Sequence, residues 1–242
     1  MRAVMAGLTT VTGDVEGNTV RLVAELERYR GCGVDAVLTC EAYLQGFESV
    51  TFEPTADRAA AITTDAPGHE PITEAVRRTG ITAGYGCVER DGDRFYSTYR
   101  LVSPDGVLLE QRRISTGWRE EWADPAVYAV GEDVQVVEWK GRRTAVALCG
   151  DLWSDQPRFT GLGIDLLLWP VFVSFPPHQW LTEELGAYAE QSATVAPQAL
   201  LVNGAATGED GEYTAGAALL ADGRVAAASG FDGQDTCLLV QI

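Results

Sequence analysis

A chain of 242 residues that is 46% hydrophobic and 22% charged has enough apolar material for one large core or two small ones. A formal net charge of −17 repels phosphate backbones and anionic lipid surfaces, so neither nucleic acid nor a membrane is an expected partner. No run is long and apolar enough to span a bilayer, and the first residues read as a strand rather than a signal core, so the expected compartment is the cytosol.

In chain order, residues 2–8 (RAVMAGL) read as a strand. TGDVEGN breaks the pattern. From Asn18 on, Val20, Leu22, Val23, Leu26 and Tyr29 recur at helical spacing. Residues 34–40 (VDAVLTC) make a continuous apolar strand running into Glu41, and helices are expected over 56–64 and 70–79. Strands 81–89, 94–103 and 107–114 form a meander, joined by turns at Asp91-Gly92-Asp93 and Pro104-Asp105-Gly106. A polar, Trp-bearing loop covers 115–133, and strands 134–139 and 143–149 then flank Lys140-Gly141. A buried strand at 165–170, a helix over 178–195 and strands near 199–203, 215–221, 224–228 and 236–241 follow. Buried strands mixed with hairpins and helices predict an α/β sandwich, read as a single domain over 1–242 without linker or repeat.

Neither a GxGxxG nor a GxxxxGK[ST] phosphate loop is present, and GxSxG is absent too. The two histidines, His69 in PGHEP and His178 in PPHQW, read as surface or capping residues. Cys32, Cys40, Cys87, Cys149 and Cys237 are odd in number and lack metal spacing, so no metal site is expected; they read as free thiols, mostly buried. What remains is a cysteine activated without histidine, by a base that takes its proton or a cation that stabilises its thiolate. Cys149 closes the apolar run TAVALC just before Gly150-Asp151, and Glu41 closes VDAVLTC in the same way. Two parallel strands would bring both to one edge of a sheet. Arg112 and Arg113, at the end of VLLEQ, supply cations. Taken singly, Cys149 reads as a packing cysteine and Glu41 as an ordinary strand-end acid.

The combination reads differently. GDVEGN, the strand entering EAYLQGF, then GYGCVERDGDRFYSTYRLVSPDGVLLEQRRI, CGDLW, DLLLWP and LLVNG occur in this order over nearly the whole chain. In that order they resemble the nitrilase, or carbon–nitrogen hydrolase, superfamily. The resemblance implies a four-layer αββα sandwich that pairs into homodimers or larger assemblies. It also implies cofactor-free cleavage of a C–N bond by a Glu-Lys-Cys triad through a cysteine thioester. By position, Cys149 becomes the nucleophile and Glu41 the general base. Glu121, with Glu120 close behind, matches a second glutamate found in many amidases. Gly150 would turn the chain sharply and offer its N–H to the oxyanion, while Asp151 fixes the turn. Tyr43, Trp118, Trp153 and Phe172 are candidate pocket walls, with core packing an equal reading for each.

Arg113 stands where that family has its triad lysine, and Lys140, the only lysine, sits in a hairpin turn. Arginine keeps a charge that stabilises a thiolate or oxyanion but cannot give up a proton, so proton traffic would rest on Glu41. CGDLW resembles amidase and glutaminase forms more than nitrile-cleaving ones, so the expected substrate is a small amide. The alternative is a catalytically impaired relative that binds a small ligand or partner, with the arginine as its support. Acyl transfer to an amine is not separated from hydrolysis. Arg112, Arg119 and Arg158 could pair with a substrate carboxylate, or simply be surface charges.

Overall fold

The structure, a computed structural model, describes residues 1–206, 214–233 and 235–242. Its strands are β1 (Arg2–Gly7), β2 (Thr9–Thr10), β3 (Ala36–Leu38), β4 (Thr82–Asp91), β5 (Arg94–Ser103), β6 (Gly106–Arg112) and β7 (Val136–Trp139). They continue with β8 (Arg142–Val146), β9 (Leu166–Val171), β10 (Gln198–Asn203), β11 (Ala205–Ala206), β12 (Gly216–Ala221), β13 (Arg224–Ala228) and β14 (Thr236–Gln241). The helices are α1 (Val15–Arg28), α2 (Pro54–Ala60), α3 (Glu70–Thr79), α4 (Asp151–Ser154), α5 (Pro177–Gln179) and α6 (Leu185–Ala193).

Two six-stranded sheets face each other, ordered β14-β1-β3-β4-β5-β6 and β13-β12-β10-β9-β8-β7. α1 and α3 cover the first and α6 covers the second, giving the αββα sandwich. Side-chain alternation builds the layers. Leu166, Leu168, Leu200 and Val202 join the core shared with Val4 and Val37, whereas Leu167, Trp169 and Leu201 point the other way, onto Leu185, Tyr188 and Ala189 of α6. A Cβ on Gly7 would lie 2.7 Å from the Gly216 nitrogen, so at that point the sheets approach backbone to backbone.

Several boundaries differ from the sequence reading. α1 starts at Val15, not Asn18, because the Asp14 carboxylate accepts the Gly17 N–H as an N-cap. Asn18 is instead buried inside the helix and bonds both N–H and C=O of Val11. The helix expected over 178–195 is interrupted by a π-turn at Trp180–Glu184, which drops Trp180 into the core, stacked on Phe231 at 4.5 Å. The five cysteines are free, but only Cys40 and Cys87 are buried. Among the described residues no helix is long and apolar enough to cross a membrane.

Candidate active site

Glu41 lies just beyond β3, where Thr39 still bonds to Gly84 of β4. The chain then folds over β4: Gly86 donates to Cys40 O and accepts from Leu44 N, and Ala42 takes a positive φ of 49°. Only glycine fits beneath this loop, since a Cβ at position 86 would sit 2.3 Å from the Ala42 nitrogen. Asn18 pins the loop from α1, donating to Leu44 O at 3.0 Å and accepting from the Tyr43 hydroxyl at its own carbonyl. The Glu41 carboxylate is fully buried and accepts a 2.7 Å hydrogen bond from Ser97 Oγ of β5.

Arg113 follows β6, its N–H bonded to Ser97 O and its carbonyl to Gly131 N. Its Nε donates to Ser115 Oγ at 2.8 Å and its Nη1 to Glu41 Oε1 at 3.1 Å. The side chains of this ion pair are 5% and 0% exposed. Lys140 is spent elsewhere: it turns the β7–β8 hairpin and pairs with Asp35 at 2.9 Å.

Cys149 ends the pairing of β8 with β9, its N–H bonded to Pro170 O and its carbonyl to Trp169 Nε1. Its φ of +42° is rare for a side chain with a Cβ. Here the structure corrects the expected role of Gly150, whose φ of −72° and ψ of −6° suit any residue. The sharp bend is carried by the cysteine itself, which projects its thiol from the strand end. The Gly150 N–H takes no part in the bonds holding the elbow. Asp151 does: it accepts from Leu148 N with one oxygen and from Ile114 N and Ser115 N with the other, tying the elbow to the segment that bears Arg113.

A second correction concerns assembly. Glu41 follows a strand of the first sheet and Cys149 a strand of the second, so they meet across the sandwich and not along one sheet edge. Burial, then the Glu41 charge, push the Cys149 thiol up to about 12, with Arg113 and the Phe172 N–H pulling the other way. At neutral pH the sulfur is therefore a protonated thiol near the Glu41 carboxylate. Burial works against the Arg113 cation, but Glu41, Cys149 and Asp151 outweigh it and raise its pKa further. Burial raises Asp151 to about 6, against the pull of its backbone donors.

The remaining candidates scatter. Glu120 and Glu121 are exposed, and neither is hydrogen-bonded to Glu41, Arg113 or Cys149. Tyr43 is fully buried beneath the Glu41 loop, so it packs and does not line a pocket. Trp118 belongs to a separate aromatic cluster with Phe95 and Tyr128. Trp153 is 47% exposed and packs edge-on against Tyr188 on the helical side of the second sheet. Of the four aromatic candidates, Phe172 reaches Cys149, through its backbone N–H, while its ring lies against Phe47. Arg112 pairs with Glu89 and Asp91, while Arg119 and Arg158 donate to the carbonyls of Tyr128 and Glu132. His178 is exposed, but His69 is buried against Tyr85 and is not a surface residue. Sequence reasoning passed over Ser97 and Ser115 and read Asn18 only as the start of a helix. The signal at Ser97 was a polar residue inside a buried strand; Ser115, in a polar loop, carried none.

Among the described residues no group of His, Cys, Asp or Glu could hold a metal ion. No family model matches the chain. It is 24% identical over 237 residues to an (R)-stereoselective amidase from a Pseudomonas species, covering 96% of this chain and 82% of that one. A CN-hydrolase superfamily protein from Xanthomonas campestris superposes with a TM-score of 0.78 at 21% identity, over 100% of this chain and 90% of that one. An amidase from Nesterenkonia gives a TM-score of 0.76 at 17% identity, over 100% and 93%. From end to end the chain shares the fold of these carbon–nitrogen hydrolase superfamily and amidase structures, and along nearly its whole length its sequence is similar to the Pseudomonas amidase.

Proposed function

We propose that the chain hydrolyses a C–N bond of a small amide through a cysteine thioester, with Glu41 as base, Cys149 as nucleophile and Arg113 as an electrostatic partner. One observation carries this reading: the buried Glu41–Arg113 pair at the strained Cys149 elbow. Burying an ion pair gains little stability against well-packed apolar side chains, so its presence beside a nucleophile argues for chemistry.

The cycle uses these side chains, the Gly150 N–H and a water molecule. Glu41 takes the thiol proton as Cys149 Sγ bonds to the amide carbon. Arg113 and the Gly150 N–H face the negative oxygen that forms. Glu41 hands its proton to the departing nitrogen, leaving a thioester and a free amine or ammonia. Water then adds to the thioester as Glu41 takes a proton, and the carboxylic acid leaves as that proton returns to sulfur. Because the thiol rests protonated, Glu41 acts during attack rather than beforehand.

A glutamate-to-glutamine mutant of the Nesterenkonia amidase was captured with acrylamide added to its active-site cysteine, which makes acrylamide and iodoacetamide suitable probes of Cys149. The test is the Cys149 alkylation rate from pH 6 to about pH 12, beside hydrolysis of an amide panel. Glu41→Gln removes the base and slows alkylation at neutral pH. It also removes a neighbouring negative charge, so the alkaline limb moves to lower pH. Arg113→Ala moves that limb to higher pH. A Cys149 indifferent to both changes, in a protein inert toward amides, would leave the ligand-binding alternative.

A further inference from the structure

Position 150 carries no conformational demand for glycine, because its φ and ψ lie in the helical region and it merely caps α4. What it lacks is room. A Cβ there would stand 2.7 Å from Arg113 Nη2, 3.7 Å from Cζ and 3.4 Å from Ser115 Oγ. A Cβ on Gly117 would approach the same Nη2 at 3.5 Å. The other two guanidinium nitrogens are committed, Nε to Ser115 and Nη1 to Glu41. No hydrogen bond joins Nη2 to any described residue. Arg113 thus fills a slot whose free end abuts Gly150, itself the residue next to the nucleophile.

We infer that Gly150 is a positioning residue whose missing side chain seats the Arg113 guanidinium, so that arginine at 113 and glycine at 150 work only as a pair. This rests on the reading of Arg113 as the partner of Glu41 and Cys149, and deepens it. The seat leaves Nη2 and the Gly150 N–H as adjacent unused donors, the arrangement an amide oxygen would meet as it gains charge. A methyl group at 150 has little to displace except the tip of a long side chain. The lesion therefore falls on the position of the cation and leaves the fold standing.

The experiment is a four-corner cycle: native, Gly150→Ala, Arg113→Lys and the double variant. Each is scored by the pH profile of Cys149 alkylation with iodoacetamide, with thermal melting to establish folding. Gly150→Ala in the arginine background is expected to melt near the native temperature, react on the order of 10- to 100-fold more slowly at pH 7 and move the alkaline limb to higher pH. Lysine has no second nitrogen arm to collide with the methyl. The same change in the Arg113→Lys background is therefore expected to alter the rate by less than about threefold and leave the limb in place.

Equal effects of Gly150→Ala in both backgrounds, or no effect in either, overturn the pairing. So does a Gly150→Ala protein that has lost its fold while the double variant has lost it equally. Hydrolysis of the amide panel is scored separately. A protein inert toward amides whose alkaline limb still shifts only in the arginine background loses the proposed activity and keeps the seat. An active protein without that dependence keeps the activity and loses the seat.

Discussion

Asp151 is the residue on which the geometry of the proposed site turns, although it takes no part in the proposed reaction. Three buried N–H groups, those of Ile114, Ser115 and Leu148, end on its two oxygens. Asp151→Ala strands all three, and each such loss costs about 1–3 kcal/mol. The expected outcome is a destabilisation of at least about 3 kcal/mol in urea unfolding, together with a slowed Cys149. Asp151→Asn keeps one acceptor oxygen and is expected to fall between. A variant as stable as the native protein would mean that the elbow is held by its strand pairing alone. Ser97 acts on the proposed base in a similar way, as the hydroxyl that fixes Glu41 Oε1. Ser97→Ala is expected to lower the neutral alkylation rate while leaving the alkaline limb, which follows the charges on Glu41 and Arg113, close to its native position.

At the level of elements, α3 and β4 carry a built-in sensitivity to acid. His69, at the start of α3, is buried with its Nδ1 3.1 Å from the Tyr85 hydroxyl. Burial, then the Arg100 charge, lower its pKa to about 4. As pH falls, the unfolded chain takes up this proton first, so the stability His69 contributes is complete above about pH 6.5 and is lost progressively toward pH 4. Between pH 7 and pH 5 that amounts to about 2 kcal/mol. His69→Gln, which can keep the bond to Tyr85, is expected to flatten the fall in melting temperature over this window. An unchanged slope would assign the acid loss to other groups. Elements also mark how far sequence could see. The strand-end positions of Glu41 and Cys149 were legible because each ends an apolar run, and that of Arg113 because it ends the third strand of a meander joined by plain turns; the roles proposed for them came from the resemblance of the whole motif order. Their location on two different sheets was not legible, because strand order depends on long-range pairing that no local pattern encodes. The aromatic residues illustrate the same limit. Tyr43, Trp118, Trp153 and Phe172 are alike as sequence, and only tertiary packing puts one beside the thiol and another on the surface.

For the whole molecule, charge is the dominant surface property. A net charge of −17 makes the folded state repel itself, while most ion pairs found here are exposed at one or both ends. Exposed pairs contribute little, and salt weakens both them and the general repulsion. With the repulsion larger, the melting temperature is expected to rise between roughly 10 and 300 mM NaCl. A fall would mean that the surface pairs matter more than the acid excess. The buried Glu41–Arg113 pair is shielded from that screening, so Cys149 reactivity should change far less with salt than stability does.

The hairpin that holds Lys140 has a practical corollary. It is the chain's only side-chain primary amine, and it lies at the opposite end of β8 from Cys149, roughly 25 Å away by strand rise. An amine-acylating reagent that inactivates a lysine-dependent hydrolase has no amine to find within this site. The same reagent offers a single side-chain handle for tethering the protein to a bead or a fluorophore. Cys149 would stay free, and the orientation would be set by one hairpin.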